Sequence, residues 1–274
     1  MCPENLFAPF WDDRAGFVTL LRAAELLRDT PLDVDLYLMG SSREETNGGG
    51  AVVGAFSLAP HCFIAVDVTH ARTPDSPKEE TFPAGGGTVI GIGPNMTRWM
   101  TDRLITKAEA RGIPWSPEVM TGHSGTNAWR VQVAREGIAT AVVSLPLKYM
   151  HSPVETLDLD DLELCALPGV SSCEDAVRDY IRAITAPYAD RSYTDTLGNL
   201  IIEKKGVSPG TKKVMLAAHM DEVGLMVHTI TEDGYLKFRP VGGIDRRVLL
   251  GKPVLVGKQK LPGVIGLKAY HLTS

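Results

Sequence analysis

Residues 213–222, KVMLAAHMDE, run from a buried-type apolar strand straight into His219 and Asp221. Three other apolar runs end in the same way. DLYLMGSSREE (35–45) stops on Glu44 and Glu45, FIAVDVTH (63–70) carries Asp67, and AVVSLPLKYMH (141–151) ends on His151. In an open α/β sheet, ligands bind beyond the carboxyl ends of the strands. Four such endings would bring carboxylates and imidazoles from distant parts of the chain to one edge.

The segments between these runs support that architecture. Residues 13–29 (DRAGFVTLLRAAELLRD) have apolar side chains at helical spacing. The pattern predicts further helices over 97–111, stopped by Gly112, over 125–136, stopped by Gly137, and over 173–186. Strands are predicted over 34–39, 62–68, 140–145 and 214–218, and 72–87 reads as a loop. Alternating strands and helices imply an α/β fold with a mainly parallel sheet flanked by helices. After about residue 222 the texture changes to short strands with glycine turns and no helix (VGLMVHTI, YLKFRPVGG, KPVLVG), with Asp233–Gly234 as a hairpin signal. This segment reads as part of a small β domain.

Composition narrows the function. The chain has 274 residues, 44% hydrophobic and 22% charged, an ordinary globular balance. Its net charge of −5 lacks the footprint of a nucleic-acid binder. No run approaches the roughly 18 apolar residues of a membrane helix, and MCPENLFAPFWDDR has neither the basic nor the apolar region of a secretory signal. The expected setting is cytoplasmic. Cys2, Cys62, Cys165 and Cys173 form no CxxC pair and are expected to be reduced.

Each candidate group has an ordinary alternative. Glu44–Glu45 is either a solvated acidic turn or a pair at a strand end, where one carboxylate holds metal and the other takes a proton. The glycines after it (TNGGGA) permit close backbone approach. His219-x-Asp221 is either structural or a ligand whose second N–H is held by a carboxylate. Asp12–Asp13 opens a helix, where aspartate is ordinarily a cap, yet a carboxylate can also bridge two metals. His151 is a structural histidine or a ligand, and His123 in TGHSGTN can face a substrate. No Gly-Lys-Ser/Thr follows the glycine-rich 85–95 region, and no Gly-x-Ser-x-Gly occurs, which argues against a P-loop and a serine hydrolase. Two histidines, an aspartate, a glutamate and one bridging carboxylate suffice for two divalent ions, leaving a second glutamate as base.

At this point the chain resembles the M42 family of metallo-aminopeptidases, exopeptidases with two cocatalytic metals. The matching strings are WDDRAG, SSREETNGGGA, IAVDVTHA, GHSGTNAW, VSLPLKYMHSPVE, LPGVSSCEDAVR, DTLGNLI, AAHMDEVGLMV and FRPVGGIDRRVLLGK. The resemblance implies a peptide substrate and two divalent ions, zinc or cobalt. It implies that Asp12 bridges the metals, with a cis peptide to Asp13. Asp67 and His219 hold one ion, Glu45 and His151 the other. Glu44 is the general base, and Asp221 orients His219. Asn127 departs from the family's usual aspartate.

The resemblance also implies an exchanged order. Segments like 163–274 come first in the family and segments like 1–162 last, with the junction near DLDDLELCALPG. Residues 1–230 would form the catalytic domain and 231–274 a shortened accessory β fragment. The chain is expected to form a homo-oligomer through that fragment if it still associates, without nucleic acid or membrane. The alternatives are a non-catalytic permuted or fused relic and a related dimetal deacylase.

Overall fold

The computed structural model describes residues 6–8, 11–152, 154–157, 171–172, 174–208, 210, 212–257 and 259–266. In chain order the elements are β1 (Leu6–Ala8), α1 (Trp11–Leu26), β2 (Val34–Ser41), α2 (Glu44–Asn47), α3 (Gly49–Leu58), β3 (Cys62–His70), β4 (Thr88–Ile92), α4 (Arg98–Ala110), β5 (Trp115–Val119), α5 (Ala128–Val131), β6 (Ala139–Leu147) and β7 (Glu155–Leu157). They continue with α6 (Asp175–Thr185), β8 (Arg191–Thr194), β9 (Leu200–Lys204), β10 (Lys212–His219), β11 (Gly224–Ile230), β12 (Leu236–Val241), β13 (Pro253–Val256) and β14 (Leu261–Val264). The junction near DLDDLELCALPG and the cysteines other than Cys62 lie outside the described residues.

Eight strands form one sheet in the order β5-β4-β6-β3-β10-β2-β9-β8. Its centre, β6-β3-β10-β2, is parallel throughout. These are the four strands whose endings carry the candidate groups, and they are immediate neighbours. β10, late in the chain, inserts between β2 and β3 and pairs with both. The flanks are mixed: β4 runs antiparallel to β6, and β9 antiparallel to β2.

The central strands are buried on both faces, as parallel strands under helices must be. Along β2, Leu36 and Leu38 face a cluster with Phe17 and Leu20 of α1 and with Val177 and Ile181 of α6. The alternate residues Tyr37 and Met39 face Ala51 and Ala55 of α3 and Val131 of α5. Period-two alternation across the sheet thus fills two cores with one strand.

Several expectations are refined. α1 begins at Trp11, but Asp12 and Asp13 are not helical and the peptide between them is cis. α4 matches the predicted helix and Gly112 follows it at φ 63°. The helix expected over 125–136 is only Ala128–Val131. Beyond it, Ala134 bonds back to Val131 and Ile138 to Gln132, while Arg135 and Gly137 adopt left-handed backbone angles. Ala128, Arg130, Gln132 and Ala134 are good helix formers, so tertiary context rather than intrinsic propensity ends the helix there. Glu44 and Glu45 lie in the first turn of α2 rather than on a strand, so their side chains diverge by helical geometry instead of pointing to opposite sheet faces. Strands β4, β5, β8 and β9 were not anticipated; they are short and lie on the flanks of the sheet.

The segment after β10 is a β11–β12 hairpin and a β13–β14 pair, as its texture suggested. The division at residue 230 falls between β11 and β12, which pair with each other.

Candidate metal centre

The four parallel strand ends and the start of α1 place seven acidic or imidazole side chains together. His219 closes β10, Asp67 lies three residues before the end of β3, His151 follows β6, and Glu44–Glu45 follow β2. The two oxygens of Asp12 face one imidazole each: Oδ1 is 3.2 Å from His219 Nε2 and Oδ2 is 2.9 Å from His151 Nε2. Glu45 Oε2 lies 3.3 Å from His151 Nε2. Asp67 Oδ1 and Glu44 Oε2 each lie 4.0 Å from His219 Nε2.

The two aspartates of WDDRAG divide the alternatives weighed for them. Asp13 is the cap: its Oδ1 accepts the Gly16 N–H at 2.9 Å, and its Oδ2 accepts that of His219 at 3.3 Å. A Cβ at position 16 would collide with the Asp13 carboxylate and force that cap to move. Asp12 makes no capping bond and turns both oxygens to the histidines. Asp13, Asp67 and His219 also converge closely enough to share an ion, as do Asp12, Glu45 and His219.

Asp221 acts through different atoms than expected. His219 Nδ1 meets the Asp221 backbone carbonyl at 2.8 Å, whereas the nearer carboxylate oxygen is 3.6 Å away. The carboxylate instead accepts the backbone N–H groups of Glu44 at 3.0 Å and Glu45 at 3.3 Å, and the Ser171 hydroxyl at 2.6 Å. Asp221 therefore orients His219 with its main chain and the Glu44–Glu45 turn with its side chain.

Two contributors escaped sequence reasoning. Glu155 is buried, and its carboxylate accepts N–H groups from His151 at 2.8 Å, Trp11 at 2.7 Å and Asp12 at 3.3 Å. The Arg14–Glu222 ion pair, 2.6 Å long and almost wholly buried, joins the Asp12 segment to the His219 segment. Both stand inside strings already quoted, but only a partner far along the chain reveals their roles.

Other candidates fall outside the cluster. His123 is exposed, its ring 4.7 Å from that of Trp129. Asn127 is buried and donates to Ser41 Oγ at 2.8 Å, with its Oδ1 unpartnered among the described residues. The glycines after Glu45 serve packing: a Cβ on Gly50 would strike the Ser42 carbonyl and Asn199.

The electrostatics suit cations. Burial alone would raise the Asp12 carboxyl, but hydrogen bonds to His151 and His219 outweigh it and hold the group well below the usual carboxylate range. Burial pushes Asp67 well up, reinforced by the charge of Asp13. Glu44 rises to about 7 through burial, with His219 opposing and Glu45, Asp12 and Asp221 adding to the rise. His151 rises to about 10 because Asp12 and Glu45 accept its hydrogen bonds. A buried cluster with more carboxylates than imidazoles is relieved either by proton uptake or by added positive charge, which a divalent ion supplies. Glu45 Oε1 is buried without a hydrogen-bond partner among the described residues, an oxygen left for a ligand. The donor set, carboxylate oxygen and imidazole nitrogen, fits divalent ions such as zinc or cobalt.

Fold and site together define an α/β protein with a carboxylate–imidazole cluster at the carboxyl edge of a parallel sheet. The model of the M42 glutamyl aminopeptidase family matches residues 2–167 and 198–274, and the chain belongs to that family. It is 37% identical over 164 residues to the lysyl aminopeptidase of Pyrococcus furiosus, covering 58% of this chain and 46% of that protein. It is 34% identical over 161 residues to the glutamyl aminopeptidase of Lactococcus lactis, covering 58% and 44%. Among solved structures it resembles the aminopeptidase APDkam598 of Desulfurococcus kamchatkensis, with 31% identity, a TM-score of 0.51, and coverage of 58% of this chain and 46% of that one. The chain thus spans about half the length of the curated relatives it matches.

Proposed function

We propose that the protein is a metal-dependent aminopeptidase that removes the N-terminal residue of peptides. The observation that carries this reading is the arrangement of Asp12, whose two oxygens face His219 and His151 within a single chain. A carboxylate set between two imidazoles is the arrangement a pair of bridged ions requires.

In this reading Asp12 would be shared between two divalent ions, one of which Asp67 and His219 would hold and the other Glu45 and His151. Once bound, such ions polarise a peptide carbonyl and make a water nucleophilic near neutral pH. Glu44 is the general base. Its carboxylate forms no hydrogen bond among the described residues, and its backbone is pinned by Asp221. It takes the proton of the attacking water and delivers it to the leaving amine, a contribution of about 10²–10⁴-fold.

The same reading treats 1–162 and 163–274 as two parts of the family's catalytic unit in exchanged order, with 231–274 as accessory fragment. Homo-oligomerisation belongs to the same proposal. Among the described residues no helix is long and apolar enough to cross a membrane.

The test is to strip the purified chain with chelator, restore zinc or cobalt, and assay a panel of aminoacyl chromogenic substrates. Near two ions per chain, with release well above that of Glu44→Gln, is expected. Wild type no faster than Glu44→Gln sinks the catalytic reading, and a metal content near zero leaves a non-catalytic relative.

A further inference from the structure

A cavity of about 350 Å³ opens directly beside Asp12, Glu45 and His151. Its far wall is aliphatic: Val223, Leu225, Ile244, Val248, Val254 and Ile265, all from the β11–β14 segment and its loops. The Gly242–Gly243 turn holds this wall against the metal cluster. A Cβ on Gly242, at φ 79°, would lie 2.8 Å from Val223 Cγ1 and 3.4 Å from the Glu45 Cβ. One on Gly243 would lie 3.5 Å from His151 Nδ1. No spacer separates the apolar wall from the acidic rim.

The charges around the cavity are lopsided. Asp12, Glu45, Glu155 and Glu222 are acidic, and Lys252 is the only lysine or arginine among the described lining residues. Glu222 is already neutralised by Arg14. In the aminopeptidase reading Asp12 and Glu45 hold ions, and Glu155 is engaged by backbone N–H groups, so the aliphatic wall rather than the acids discriminates between ligands. A peptide N-terminus with a large aliphatic or aromatic side chain fits such a wall. A carboxylate side chain would lose its hydration against aliphatic carbon.

Resting on the aminopeptidase reading, we infer that the β11–β14 wall is the side-chain pocket of this site and selects peptides whose N-terminal residue is large and apolar, such as leucine or phenylalanine, over acidic or small ones. The chain would thus differ in substrate from the glutamyl activity in its family's description. Lys252 is the one group that would oppose this choice. If it dominated the cavity, glutamate would be the favoured residue.

Two measurements on the full chain decide the matter. The first is kcat/KM for leucyl, phenylalanyl, alanyl and glutamyl anilides on the metal-loaded protein. Leucyl and phenylalanyl substrates should exceed alanyl and glutamyl ones by at least about 10-fold, since each buried methylene is worth roughly 10-fold or more in a fitted pocket. Val254→Asp should erase that preference, chiefly through KM, with the melting temperature recorded to confirm folding. The second is calorimetric affinity of leucinamide, alaninamide and glutamic acid α-amide on Glu44→Gln, which needs no turnover. Leucinamide should bind at least about 10-fold more tightly than either competitor. Hydrolysis without that preference, tightest binding of the glutamate amide that is lost in Lys252→Met, or no binding of any amide overturns the pocket. Leucine-selective binding without hydrolysis supports the pocket and removes the aminopeptidase reading instead.

Discussion

The Glu155 carboxylate accepts the backbone N–H of His151 at 2.8 Å while its other oxygen accepts that of Trp11 at 2.7 Å. One buried side chain thereby sets the distance between the His151 turn and the Asp12 segment. Glu155→Ala should leave these N–H groups orphaned, at about 1–3 kcal/mol each, measurable by urea denaturation. It should also weaken metal binding by roughly 10–100-fold, as loss of a ligand-orienting partner does. Unchanged affinity in a cobalt titration would show that the two loops hold their places without Glu155.

Arg14 and Glu222 form a second tie between the same regions, out of contact with solvent. Removing one partner of such a pair takes a short ionic contact from a buried charge. Glu222→Ala should therefore destabilise the chain by about 3–5 kcal/mol. The double variant Arg14→Met/Glu222→Leu should recover much of that loss, read from paired denaturation curves. A loss under about 1 kcal/mol for the single variant would place the pair with exposed ion pairs.

The crowded carboxylates should make the fold responsive to metal. A ligand at 100 times its Kd that binds only the native state adds about 2.7 kcal/mol of stability. Zinc or cobalt should raise the melting temperature, and chelator should reverse the change. Asp12→Ala should abolish the response while the chain still folds, because Asp12 alone contacts both histidines. The check is a thermal scan with metal content measured on the same samples.

At alkaline pH Tyr37 contributes a pH dependence of its own. Burial and the hydrogen bond to Glu203 raise the Tyr37 phenol from 10.0 to about 12. The folded chain therefore keeps a proton that the unfolded chain releases between these values. The unfolded state binds fewer protons there, so stability falls as pH rises from about 10 to about 12 and is unaffected below pH 10. Tyr37→Phe should flatten this decline relative to wild type in denaturation midpoints measured across that range. Parallel curves would contradict the coupling.

Local pattern was a good guide where neighbours in sequence decide the outcome. The apolar runs around Asp67 and before His219 became β3 and β10, and Gly112 follows α4 in the left-handed conformation that glycine adopts freely. It failed where tertiary contacts decide. The 125–136 helix shrank to four residues, and α2 interposed a helical turn where a strand end was expected. The flanking strands β8 and β9 are too short to show a period.

What the sequence alone determined was the kind of chemistry: carboxylates and imidazoles after apolar strands, and a tail of short strands with glycine turns. Side-chain period and residue type are local properties, so they are legible without coordinates. Only the tertiary structure decided which groups meet. The order β6-β3-β10-β2 brings His219 to Asp12, 207 residues away in sequence, and sets an apolar wall beside them. Strand order depends on long-range pairing and on packing over two cores, and no stretch of the chain encodes it by itself. For the same reason Asp221 changed its working atoms, and Glu155 and Arg14 gained roles that their neighbours in sequence do not show.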